Sequence, residues 1–353
     1  MWALEGTRSR TGKLVWPQMG ILKYILEAEE DAKTPVKYVP VSIVYDLIPD
    51  VAEMTQEGRG KAKKSEDLLW LVNYVKKMGG NLGKISLRIG EPVDTSLVRN
   101  APIPDDEDTE NDPLSKASIS HFAFDLVHRI NQITPITTTS LICNSLLSKF
   151  ALTKRGIESD VAHLMQLIES HNKDALVDRG LPIGESVQKA LKLLTKSHVF
   201  LQQGDGINAK YTIQRENYLP ATYYANMAVH HLYHRAFIEL ALVKTAQLPV
   251  EERQLTFWQD IMTLRDVFKF EFFYSKKPQF TNEIEADLSD IQANWHEQIF
   301  ETQSDIEALL THQKILVAPV LLFNYLEAYR VVAHGLQTWD TEQPLDDKSL
   351  LNF

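Results

Sequence analysis

The chain has 353 residues, with 44% apolar and 24% charged side chains and a net charge of −10. That composition belongs to a folded chain of two or three domains, and its acidity argues against a nucleic-acid binder, which presents a basic face. One cysteine, Cys143, sits in the apolar run Ser140-Leu141-Ile142-Cys143. It has no partner for an internal disulfide and reads as a packing residue of a reduced compartment.

Residues 1–100 read as α/β. Trp2-Ala3-Leu4 reads as the end of a strand, and a basic loop follows it. Met19, Ile21, Leu22, Ile25 and Leu26 then recur at helical spacing. Val36 to Tyr45 is rich in β-branched and aromatic residues and predicts a buried strand. Ser65 is a candidate N-cap for a helix over 65–78 that ends near Gly79, and Lys84 to Ile89 predicts a further strand closed by Gly90-Glu91-Pro92. Strand and helix alternating in this way predict a mostly parallel sheet with helical crossovers.

Residues 101–114, with three prolines and a block of acids, predict a solvated linker. Helices follow near 115–132, 138–150, 158–170 and 183–196. Val199 to Gln202, a Gly204-Asp205-Gly206 turn and Lys210 to Ile213 then predict a hairpin, so that 115–215 is similar to a winged-helix unit. Apolar runs at 223–246, 251–274, 283–311 and 313–337 predict a C-terminal helical domain over 216–353. The N-terminus has no apolar leader, and no run nears the roughly 20 apolar residues that span a bilayer. Attachment to a lipid surface stays open.

The loop Glu5-Gly6-Thr7-Arg8-Ser9-Arg10-Thr11-Gly12-Lys13 holds three cations and one acid, a local charge of +2 on an acidic chain. Arginine forks bind phosphate oxygens two at a time, and hydroxyls and backbone N–H groups complete such a shell. Gly6 and Gly12 let the backbone come close to a ligand. The same composition also suits a solvated turn.

Four further groups carry chemistry less well. Lys61-Ala62-Lys63-Lys64 suits an anionic head group or an ordinary loop. His230, His231 and His234 place two imidazoles on one helical face, without the glutamate of a zinc-protease motif. Phe268, Phe270, Phe272, Phe273 and Tyr274 suit either a membrane interface or core packing. His121 and Asp125 sit one helical turn apart, as a surface pair also would.

Glu5-Gly6-Thr7-Arg8-Ser9-Arg10 resembles the phosphate-binding motif of glycerolipid acyltransferases. The likeness extends through Thr11-Gly12-Lys13-Leu14, Val39-Pro40-Val41-Ser42-Ile43, Leu82-Gly83-Lys84-Ile85, Gly90-Glu91-Pro92-Val93, Ile133 to Thr137, Tyr224-x-Asn226-x-x-x-His230, Leu264-Arg265-Asp266 with Lys269-Phe270-Glu271-Phe272, and Leu326-Glu327-Ala328-Tyr329. Taken together these resemble bacterial glycerol-3-phosphate acyltransferase of the actinobacterial type, in order and over nearly the whole chain.

The resemblance implies acyl transfer from acyl-CoA or acyl carrier protein to the sn-1 hydroxyl of glycerol 3-phosphate, giving lysophosphatidate, with no further cofactor. It implies that Arg8 and Arg10 hold the phosphate, that Glu5, Gly6, Thr7 and Ser9 shape that site, and that Pro40 lines the acyl-donor side. It also implies a protein on the cytoplasmic face of the cell membrane. Residues 1–100 would then be a partial acyltransferase α/β domain.

The family's catalytic pair is a His-x-x-x-x-Asp motif upstream of the basic loop, the His acting as general base and the Asp orienting it. None of the 11 histidines here has Asp five positions on; His234 with Glu239 comes nearest. The expectation is therefore a C-terminal portion of such an enzyme, inactive by itself. The alternatives are acylation of dihydroxyacetone phosphate and a non-catalytic lipid-surface or regulatory protein.

Overall fold

The computed structural model describes residues 2–57, 82–95, 116–172, 174–178, 180–301, 305–312 and 316–339. The expected helix 65–78, the lysines at 61, 63 and 64 and the acidic stretch 101–114 lie outside them.

Two cores organise the molecule. The smaller lies under the basic loop. Helix α1 (Met19–Ala32) turns Leu22 and Leu26 inward against Phe122, Ala123 and Leu126 of α3 (Lys116–Ile133), and Leu4, Tyr38, Val93 and Phe273 close the cluster. Leu22 and Leu26 are one helical turn apart, which is why both reach the same neighbour. The α1 helix stops at Lys33, which takes a left-handed φ of 50°.

Between these helices lie β1 (Val41–Tyr45) and β2 (Ile85–Ile89), with the short helix α2 (Val51–Glu57) after β1. The two strands pair antiparallel, from Val41 opposite Ile89 to Tyr45 opposite Ile85. This corrects the expected parallel arrangement. Ile-Ser-Leu-Arg-Ile alternates, as a strand of a half-covered antiparallel pair does, whereas Val-Ser-Ile-Val-Tyr is nearly all apolar and reads like a buried parallel strand. Trp2 to Leu4 is likewise not a strand. The Ala3 carbonyl accepts the Gly6 N–H and the Leu4 carbonyl accepts the Gln18 N–H, so a turn consumes the groups a ladder would need.

The larger core begins with α4 (Thr138–Leu147), capped by the Thr137 hydroxyl, which accepts the Ser140 N–H at 3.1 Å. Residues 138–146 are buried all round, Cys143 included, as befits a helix enclosed by others. It packs on α5 (Lys154–His171), α6 (Ile183–Lys196) and α7 (Tyr218–Asn226). On α6 the stripe Val187, Ala190, Leu191 and Leu194 faces inward at i, i+3, i+4, i+7. The expected hairpin forms as β4 (Leu201–Gln203) and β5 (Lys210–Thr212), and β3 (Leu152–Thr153) pairs with the other side of β5.

The C-terminal helices gather round α8 (Val229–Thr245): α9 (Val250–Val267), α10 (Lys277–Ile291), α11 (Ile306–Thr311) and α12 (Ala318–Leu321), with α13 (Phe323–Thr338) following. Buried Glu239 of α8 pairs with Arg235 at 3.0 Å and accepts the Val317 and Ala318 N–H groups at 2.8 and 2.9 Å, fixing the start of α12. No described helix is long and apolar enough to cross a membrane.

Candidate functional site

The basic loop is a tightly stitched turn. Glu5 accepts the Val15 N–H at 2.7 Å, closing its ends, and burial pushes the Glu5 carboxyl above the usual carboxylate range. Ser9 binds the loop from within: its hydroxyl donates to the Lys13 carbonyl at 2.6 Å and accepts the N–H groups of Thr11 and Gly12 at 3.3 and 3.1 Å. Gly12 is at φ +86°, and a Cβ there would lie 1.9 Å from the Tyr223 carbonyl oxygen, so only glycine lets the loop lie on α7. Asn226 reaches back to donate to the Thr11 carbonyl at 2.8 Å.

Each cation of the loop meets a carboxylate from elsewhere in the chain. Arg8 Nη1 lies 2.8 Å from Asp50 Oδ2, Arg10 Nε lies 3.8 Å from Glu57 Oε2, and Lys13 Nζ meets the Glu271 carboxylate. Both arginines stay more than half exposed at 59% and 53%, whereas Lys13 is 9% exposed. The local +2 of the sequence is thus offset in space.

The loop forms one wall of a cleft of ≈ 1140 Å³. Glu5, Thr7, Arg8 and Ser9 line it, Pro40 and β1 form the facing wall, and Leu126, Ile130, Met227 and Tyr233 make an apolar flank. Gly6 and Arg10 do not line it. Gly6 takes φ +67° at the turn, and Arg10 lies to the Glu57 side. Pro40 is held by its carbonyl, which accepts the Gly90 N–H at 2.8 Å. Tyr223, also in the wall, has its hydroxyl pKa pushed up to about 12 by burial and by the carboxylates of Asp50 and Glu5, so it enters any chemistry as a neutral hydroxyl. Asp50 and Tyr223 were not singled out in the sequence, because nothing local ties them to the loop; Glu271 belonged to a segment that carries the family resemblance, with nothing in it to tie it to Lys13.

Of the other sequence candidates, His230, Phe272 and Phe273 border the cleft, and the rest of those described do not. His230 and His231 share one acceptor, the Thr134 carbonyl, at 3.2 and 3.3 Å, and burial holds His230 well below the ordinary histidine range. His234 faces Glu283 at 3.5 Å and Asp287 at 3.7 Å on α10. Among the described residues no three His, Cys, Asp or Glu side chains are grouped to hold a metal ion. Asp125 forms its ion pair with Arg129 at 2.6 Å, and no contact joins it to His121, which is exposed. Phe268, Phe272, Phe273 and Tyr274 are buried in the two cores, and Phe270 alone of that run is exposed.

The basic loop and an apolar flank thus border one cleft. Residues 54–352 match the family of the glycerol-3-phosphate acyltransferase C-terminal region, and the chain belongs to that acyltransferase family. Proteins of Mycobacterium tuberculosis and Mycobacterium bovis, provisionally named acyltransferase plsB1, are 31% identical over 99% of this chain. The match takes in 56% of their length, so the chain spans about half of the curated relatives it matches. The basic loop precedes the family match and lies within the alignment to these relatives.

Proposed function

We propose that this chain supplies the acceptor-holding half of a glycerol-3-phosphate 1-O-acyltransferase. The observation that carries the reading is the convergence of Glu5, Thr7, Arg8, Ser9 and Pro40 on one cleft with an apolar flank. The phosphate dianion takes the place of Asp50 on Arg8, since a bidentate arginine–phosphate contact outbids a single carboxylate contact, and Arg10 joins it by leaving Glu57 and turning into the cleft. Holding the phosphate aims the sn-1 hydroxyl at the thioester, which lies along the Pro40 wall.

The hydroxyl oxygen then bonds to the thioester carbonyl carbon and gives up its proton. The C–S bond breaks, and the thiol of coenzyme A or carrier protein leaves with a proton. The base is a His–Asp pair outside these residues, because no histidine here has the required aspartate; the 353-residue chain by itself therefore does not turn over. Residues 1–100 serve as part of the acyltransferase domain. The unit 115–215, with the helices α3 to α6 and the sheet β3–β5–β4, is a winged-helix-like scaffold rather than a reader of nucleic acid, and 216–353 buttresses the cleft. The protein works at the cytoplasmic face of the membrane, where its lysophosphatidate product enters the lipid phase.

The test offers glycerol 3-phosphate and dihydroxyacetone phosphate separately to the whole acyltransferase with an acyl-CoA donor. Acylation of the first at the higher kcat/KM is the expected result. Preference for the second identifies the ketone as acceptor, and liposome binding with no turnover of either identifies a lipid-surface protein.

A further inference from the structure

Lys13 borders the cleft and looks like a third phosphate ligand, yet its ammonium is taken up by Glu271. Its ammonium donates to the Glu271 carboxylate and, at 2.8 Å, to the Glu271 main-chain carbonyl. It also lies 5.1 Å from the ring centre of Tyr325 and 5.6 Å from that of Phe272, within cation–π range. The other Glu271 oxygen accepts the Tyr329 hydroxyl at 3.1 Å. Two residues 258 apart in the chain thus meet in a small cage built by the segment after α9 and by α13.

The cage reaches the arginines through main chain. The Lys13 carbonyl is the acceptor for the Ser9 hydroxyl, and that hydroxyl in turn holds the Thr11 and Gly12 amides. Ser9 sits between Arg8 and Arg10, so the position of Lys13 sets the spacing of the two forks. Burial pulls the Lys13 ammonium below its ordinary pKa while the Glu271 charge pushes it up, so the pair depends on both members.

We propose that Lys13 and Glu271 form a clasp through which the C-terminal helical region sets the shape of the anion-binding loop, with Glu271 as a positioning residue for the acceptor site. A carboxylate near the cleft then strengthens binding of an anion. If Lys13 were instead a direct ligand, Glu271 would compete with the phosphate, and its neutralisation would tighten binding. The proposal rests on the acceptor reading above for its kinetic readout, but not for its structural one.

The test compares Glu271→Gln, Lys13→Met and the double variant in the whole acyltransferase. Without substrate, both single variants raise amide hydrogen exchange at Thr11, Gly12 and Val15 by about tenfold, because the loop opens locally. With substrate, both raise KM for glycerol 3-phosphate and leave KM for the acyl donor unchanged, and the double variant is no worse than the worse single one, as partners in one interaction are. Should Glu271→Gln not fold, Tyr329→Phe gives a smaller effect of the same sign. The proposal is overturned by unchanged exchange in the loop, or by a Glu271→Gln enzyme whose KM for glycerol 3-phosphate is unchanged or lower. If the whole protein acylates neither acceptor, the function above fails while the exchange measurement still decides the clasp.

Discussion

Gly12 and Gly6 separate two costs that a sequence merges. Both have positive φ, but a Cβ at Gly12 meets the Tyr223 carbonyl at 1.9 Å, whereas one at Gly6 meets only the Gln18 Cγ at 3.0 Å. Gly12→Ala is expected to destabilise the fold by about 3 kcal/mol, through strain and a backbone clash, and Gly6→Ala by about 1 kcal/mol. Chemical denaturation midpoints check both. His230 gives a pH signature of definite sign. Its folded pKa is depressed by burial, then by His231, so its contribution to stability is present above about pH 6.5 and is lost as pH falls through the folded value. Thermal unfolding between pH 7 and 5 should show a falling Tm, with a shallower fall in His230→Gln. At this scale the sequence was legible for the loop's own charges. It was silent on Asp50 and Glu57, and on the pairing of Glu271 with Lys13, since no periodicity links residues that meet only after folding.

At the scale of elements, the helices were the legible part. Their apolar stripes repeat every three to four residues, α3 and α6 fall within a residue of their expected bounds, and α1 holds the five apolar residues read at helical spacing. The sheet was read with the wrong direction. The parallel reading came from the order of strands and helices and from the nearly continuous apolar run of β1, and the pairing of β1 with β2 is antiparallel. Break points such as Met227–Ala228, which divides α7 from α8 within one apolar run, were not visible either. Helix α6 offers a direct check on its buried stripe. Leu191→Ala, at 3% exposure, should cost about 2–5 kcal/mol, while Lys189→Ala, which loses an exposed pair with Glu185, should cost about 0.5 kcal/mol or less.

Across the whole molecule, the outer face of the β1–β2 pair stands out. Ile43, Tyr45, Ile85, Leu87 and Ile89 lie on one side in register, each 39% exposed or more. A contiguous apolar face of this kind drives association in water. The 353-residue chain by itself is therefore expected to self-associate in sedimentation velocity, and Leu87→Lys to reduce that association. A monodisperse wild-type monomer that melts cooperatively would contradict it.

The acceptor site is the account's central claim, and Arg8 is its most exposed commitment, because its fork lines the cleft and is held in readiness by Asp50. The decisive measurement is KM for glycerol 3-phosphate in the whole acyltransferase carrying Arg8→Gln. Loss of a charge-assisted contact to phosphate predicts a rise of about tenfold or more, with KM for the acyl donor unchanged. An unaltered acceptor KM would contradict the account.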